Sequence, residues 1–190
     1  MSRAVSVRSL SFFSQIAGLV ALAVVLKFFE IPYPPAPFLK YDVSGVPLAL
    51  ISFISLKYAL GILPVYYVIP VALGSDPIGM AMKCLAEAFT FVPLTLIYRV
   101  ASKILSEGRV SLVAVITASL SRVTVMSLAN YIVTPYWLLW AGWVKDLEEA
   151  RAIVVMYLPH IAAFNLTIAL IAASISITTY IILRRSGYLK

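Results

Sequence analysis

The sequence contains one cysteine and one histidine in 190 residues. A lone thiol, Cys84, cannot form an internal disulfide, and with a single His160 there is no Cys/His spacing for a zinc site. No Walker A loop, Gly-x-Ser-x-Gly elbow or His-Glu-x-x-His pair occurs. ATP hydrolysis, serine chemistry and zinc hydrolysis therefore have no visible carrier, and the chain reads as a non-enzyme with no cofactor and no metal. Charge is scarce too, at 12% of residues. The net +7 comes from 15 basic residues against 8 acidic ones. These cations are scattered through short connections without an aromatic-basic motif, which argues against a nucleic-acid partner.

What is present is apolar: 62% of residues are hydrophobic and the mean hydropathy is +0.99. A soluble core needs far less, so the sequence reads as an integral membrane protein. A spanning helix takes roughly 20 apolar residues, which leaves room for about six spans and no separate soluble domain. The expected fold class is all-α, a single transmembrane domain over 1–190 that places a multi-pass protein in a cell membrane and its lipid bilayer. The predicted spans are 9–29, 46–60, 62–73, 78–101, 110–133 and 152–183. The first is too long for a signal-peptide core and lacks a cleavage site before Pro32, so it is read as retained. The third holds Pro64 and Pro70 and is short, which leaves a tilted helix or a re-entrant segment open.

Sidedness follows from the basic residues. With the N-terminus inside, the inner side receives Arg3, Arg8, Lys57, Arg99, Lys103, Arg109, Arg184, Arg185 and Lys190, and only one acid, Glu107. Lys40, Lys145 and Arg151 fall outside with most of the acids, an asymmetry that favours both termini in the cytoplasm. Trp137, Trp140, Trp143, Tyr131 and Tyr136 then cluster at the outer interface, between the fifth and sixth spans. They form either an aromatic belt or a loop that helps close a pocket.

Several polar groups stand out against this background. Pro32, Pro34, Pro35 and Pro37 restrict the backbone ahead of Phe38-Leu39-Lys40-Tyr41-Asp42, so the stretch 30–42 should cross as a shaped loop, either a connector or a lid. Lys83 and Glu87 lie four residues apart on one face of the fourth span, where burying either charge alone would cost at least ~2.5 kcal/mol. Glu87 and Arg122 come to similar depth, which makes an interhelical ion pair one reading and a ligand-orienting pair the other. Asn130 lies near the Arg122 face but further out, and Asn165 reaches a comparable level if its helix effectively starts at Pro159. Two converging amides suit either interhelical ties or recognition of a heterocycle with alternating carbonyl and imino groups. His160 reads as a satisfied or interfacial residue. Gly74-Ser75-Asp76-Pro77-Ile78-Gly79 reads as a tight outer turn, and Ala17 and Ala21, with Ser14 and Gly18, form a small-residue stripe on the first span.

Four motifs taken together resemble one family. They are Pro-x-Pro-Pro-x-Pro-Phe-Leu-Lys-Tyr-Asp at 32–42, Gly-Ser-Asp-Pro-Ile-Gly at 74–79, Arg122-x7-Asn130-Tyr131-x3-Pro135-Tyr136, and Phe164-Asn165-Leu166. The family is the substrate-binding S-component of energy-coupling factor (ECF) vitamin transporters, in its riboflavin branch. The resemblance implies a six-helix protein that binds riboflavin from outside beneath the first outer loop. Release inward would depend on a transmembrane coupling protein and two ATPase subunits. It further implies that Leu39, Lys40, Tyr41 and Asp42 form the lid, with Phe38 of the same motif a candidate substrate contact, and that Asn130 and Asn165 bond the flavin ring. Tyr131 belongs to the matched motif, Asp76 and Lys83 would serve the ribityl end, and Ala17 and Ala21 would face the coupling protein; Glu87 is a candidate substrate contact from the charge pairing described above, not from the resemblance. In the family the sixth helix usually reads Asn-Leu-x-Lys, whereas here it reads Asn165-Leu166-Thr167-Ile168. An S-component for another vitamin and a non-transporting membrane scaffold are the alternative readings.

Overall fold

The computed structural model describes the backbone of residues 2–188 and the side chains of 10–188, so Arg3, Arg8 and Lys190, counted above on the inner side, lie outside the described side chains. The chain runs α1 (Ser2–Lys27), β1 (Ile31–Pro32), β2 (Lys40–Tyr41), α2 (Gly45–Ile54), α3 (Leu56–Gly61), α4 (Leu63–Ala72), α5 (Pro77–Ala101), α6 (Glu107–Trp140) and α7 (Leu147–Arg185). It is a helical membrane-type protein. Four helical stretches, Leu10–Lys27, α5, α6 and α7, are long and apolar enough to cross a membrane, while Gly45–Ile54 and Leu56–Ala72 are shorter apolar helices.

The helix starts follow local chemistry. Asp76 caps α5 by accepting from Gly79 N at 2.5 Å, with Pro77 in the first turn, where a missing N–H costs nothing. Asp146 caps α7 through Glu149 N at 2.8 Å, and the helix carries Glu148 and Glu149 at its start and Arg184 and Arg185 at its end, matching the helix dipole.

Three boundaries differ from those expected. The second and third spans meet at Ser55, not at residue 61. Ser55 is extended (φ −156°, ψ 112°), and Leu56–Ala72 returns as a nearly continuous ascending arm. Ser52, Ser55 and Lys57 are the polar residues near that turn, but no glycine, proline or acid marks it, so periodicity alone could not place it. The fifth helix extends through Trp140, so Tyr136, Trp137 and Trp140 lie on a helix and only 141–146 connects it to α7. The last helix begins at Leu147, with Pro159 inside it and not at its start. Pro135 and Pro159 are carried within α6 and α7, which pack along each other and can compensate a lost backbone bond.

Two contacts fix the depth of α2. Arg99 of α5 donates from Nη2 to the carbonyls of Ser52 and Phe53 at 3.2 and 3.0 Å, at the C-terminal end of α2. Glu87 of α5 lies against Gly45 at its N-terminal end. Glu87 is ten residues into α5, roughly 15 Å below its start. The connection between α1 and α2 therefore dips well into the bundle. It contains the two-stranded hairpin, with Ile31 opposite Tyr41 and Pro32 opposite Lys40, closed by Tyr33 N to Leu39 O at 2.9 Å.

The apolar core draws on α1, α2, α4, α5, α6 and α7. Leu48, Ile51, Tyr66, Phe91 and Leu94 are fully buried in it.

Candidate functional site

Beneath the hairpin is a cavity of about 580 Å³. Its walls come from the hairpin loop, the 73–76 turn, and α5, α6 and α7. Phe38, Trp137, Trp143 and Phe164 supply aromatic surface, and Met80, Met82 and Met126 supply adaptable apolar surface.

The polar part of the wall is organised around four charges in alternating order. Asp42 Oδ2 meets Lys83 Nζ at 2.8 Å, Lys83 Nζ meets Glu87 Oε1 at 3.3 Å, and Glu87 Oε1 meets Arg122 Nη1 at 3.2 Å. The ion pair between Glu87 and Arg122 expected from their depth is present. Charges at this depth are tolerable only when paired and turned to the bundle interior, and the chain of two anions and two cations is neutral. Arg122 also donates from Nη1 to Thr90 Oγ1 at 3.1 Å and from Nε to Asn165 Oδ1 at 3.1 Å.

The two asparagines are held alike. Asn130 Nδ2 donates to Met126 O at 2.7 Å, and its oxygen accepts from Thr134 Oγ1 at 2.9 Å. Asn165 Nδ2 donates to Ile161 O at 2.9 Å while its oxygen accepts from Arg122. Each Nδ2 bond runs back one helical turn, and together with the bond at the oxygen it fixes the amide plane, leaving one N–H of each amide unused by protein. Both residues line the cavity.

The hairpin is fastened at both ends. Lys27 and Lys40 both pair with Glu30, the latter at 2.7 Å. Asp42 accepts from Ser44 N at 2.9 Å and from the Ser44 hydroxyl, which also meets the Tyr66 hydroxyl at 2.7 Å. Burial alone would raise the Asp42 carboxyl, but the Lys83 charge and the Ser44 bonds outweigh it and hold the group below the usual carboxylate range. Glu30 is likewise held low, its partial burial outweighed by Lys27 and Lys40.

The residues singled out in the sequence separate into two groups. Phe38, Leu39, Lys40, Asp42, Asp76, Lys83, Asn130 and Asn165 line the one cavity. Tyr41, Glu87 and Tyr131 do not. Tyr41 packs on Phe164, ring centroids 4.6 Å apart, behind the wall. Glu87 is buried beneath Lys83 and Arg122, and Tyr131 is half exposed on the outer surface of α6. Asp76 is occupied by its helix and by Trp137 Nε1, which donates to Oδ2 at 3.1 Å. Met126 and Thr134 line the cavity and were not singled out, and Arg122 and Trp137, read above only as one of a ligand-orienting pair and as part of a pocket-closing loop, line it as well. Their spacing of 122, 126, 130, 134 and 137 along one helical face is the signal that would have joined them to Asn130. Ala17 and Ala21 lie elsewhere, exposed in an apolar groove formed with Val20, Ile62, Val65 and Ile69.

No protein-family model and no curated protein matches the sequence. Among solved structures, the chain superposes on the S component of a bacterial ECF transporter with a TM-score of 0.69, over 95% of this chain and 96% of that one, at 23% identity. The chain has the S-component fold.

Proposed function

We propose that the protein is the riboflavin-binding subunit of an ATP-driven ECF-type importer, a six-span protein of the cell membrane with both termini in the cytoplasm and no catalytic activity of its own. The observation that carries the reading is the cavity beneath the hairpin. At about 580 Å³ it is in the range of small-molecule sites, and it joins aromatic and methionine surface to a cluster of fixed polar groups. Riboflavin has the same division, with a flat ring whose edge carries carbonyls and a flexible chain of hydroxyls. Asn130 and Asn165 bond the ring edge, while Lys83 and the free oxygen of Asp76 serve the hydroxyls. Phe38, Leu39 and Lys40 cover the ligand, and Asp42 holds the cover to α5. Tyr41 contributes through Phe164, and Glu87 through Lys83 and Arg122.

Release to the inside requires a coupling protein and two ATPases. The groove at Ala17 and Ala21 is where the coupling protein packs, since two alanines allow close approach of another helix. Trp at both positions should abolish co-purification with the coupling module and leave ligand affinity intact. Retained assembly would remove that role. The main reading is tested by titrating riboflavin into the purified protein in detergent and following quenching of flavin fluorescence. Saturable quenching at submicromolar ligand is expected, and none at micromolar ligand refutes riboflavin as the substrate.

A further inference from the structure

Arg122 holds more donors than its protein partners use. Nε and Nη1 are committed to Asn165, Glu87 and Thr90, whereas Nη2 makes no hydrogen bond with any described residue. The guanidinium is planar and permanently charged, so these bonds at two of its nitrogens also set the direction of the third. Arg122 is only 3% exposed yet lines the cavity, so the free Nη2 hydrogens are presented to whatever fills it.

The neighbouring groups are biased the same way. The Asn165 and Asn130 oxygens each already accept one bond, and each amide keeps a free N–H. Lys83 gives contacts to Asp42 and Glu87 and keeps further donor capacity. The unused capacity of this wall is thus mainly N–H. It is not unpaired charge, because Glu87 and Asp42 neutralise the two cations. A carboxylate or phosphate would bring an anion with no free counter-charge, whereas a neutral carbonyl needs only the donors.

From this arrangement we infer that Arg122 is a specificity residue that donates from Nη2 to a neutral carbonyl on the ligand's ring edge, and that the site rejects analogues bearing an amino group there. The inference rests on the riboflavin reading, whose pyrimidinedione edge supplies such carbonyls. An amino group would set donor against donor in a buried wall, an arrangement that binding sites penalise strongly.

The test uses the full-length protein, riboflavin as probe, and the variants Arg122→Gln and Arg122→Lys. Lysine keeps a cation beside Glu87, so a folded variant is retained if glutamine fails to fold. Fluorescence titration gives affinity, and infrared difference spectra of the bound flavin give its carbonyl stretches. A loss of at least tenfold in affinity is expected in both variants, together with an upward shift of a carbonyl band as the guanidinium donor is lost. Affinity within twofold of wild type, or a weaker site whose carbonyl bands stay in place, overturns the inference and leaves the riboflavin reading standing. A wild-type protein that does not quench riboflavin overturns both.

Discussion

Replacing Glu87 with glutamine tests whether the alternating charges hold the bundle together. Glu87 is the inner anion of the chain Asp42, Lys83, Glu87, Arg122, and it meets both cations within 3.3 Å. Each attraction is worth about 5 kcal/mol at an effective dielectric of 20. The net loss is smaller, because the variant no longer desolvates the carboxylate. Breaking a buried pair in this way costs about 3–5 kcal/mol, since the surviving cation stays buried. In Glu87→Gln, Lys83 keeps Asp42 while Arg122 loses its only carboxylate partner among the described residues, and the cluster carries one uncompensated positive charge. For a chain of this size each kcal/mol is about 2–4 °C, so the midpoint of ligand-free thermal unfolding in detergent should fall by about 6–20 °C. Neutralising the excess should restore part of the loss. Glu87→Gln with Arg122→Gln leaves only the Asp42–Lys83 pair and should melt above Glu87→Gln alone. A midpoint within about 2 °C of wild type for the single variant, or a double variant that loses the full sum of both singles, refutes the account.

The other consequences are simpler to check. Asn130→Ala and Asn165→Ala should each weaken riboflavin binding by about 1–3 kcal/mol, as buried hydrogen bonds to ligand do, and unchanged affinity in both removes their assigned role. Asp42 titrates below its ordinary value of 3.8, so its ionised form, and with it the latch to Lys83, is complete above that value and is lost as pH falls through the lower folded one. Riboflavin affinity should therefore be flat from about pH 5 to 8 and weaken only below Asp42's ordinary value of 3.8, and a marked fall between pH 7 and 5 contradicts the latch. A Cβ added at Gly45 would meet the Glu87 carboxylate, which Lys83 and Arg122 prevent from moving away. Gly45→Ala should thus cost about 1–3 kcal/mol by overpacking. Gly18→Ala, with nothing within 4 Å of the added carbon, should be neutral or slightly stabilising in thermal unfolding.

Gly45 also shows where sequence reasoning stops. The long apolar runs made α1, α5, α6 and α7 legible, because a spanning helix announces itself by length and composition. The four-residue spacing of Lys83 and Glu87 and the matched depth of Arg122 were legible for a similar reason, since helical rise and period are fixed. The turn at Ser55 was not, because both arms are apolar and the reversal rests on tertiary contacts, notably Arg99 on the carbonyls that end α2. The extension of α6 through Trp140 was hidden by Pro135 and three tryptophans, which read as an interfacial loop when no neighbouring helix is in view.

Inside the site, the sequence could nominate polar residues but could not say which of their atoms remain free. Asp42 was read as part of a lid, and its carboxylate is taken up by Lys83 and Ser44. Glu87 was read as a candidate ligand contact, and it is buried behind the two cations it neutralises. Arg122 was read as its partner, structural or ligand-orienting, but not as a donor with capacity to spare, although a guanidinium has five donors and Glu87 and its other neighbours occupy only part of them. Counting those donors requires coordinates, because Thr90, Asn165 and Arg122 come from three different helices. Their convergence turns a structural ion pair into a cavity wall with unused N–H donors, and under the inference drawn above the groups that pair across the bundle would be the same ones that select a neutral ring edge.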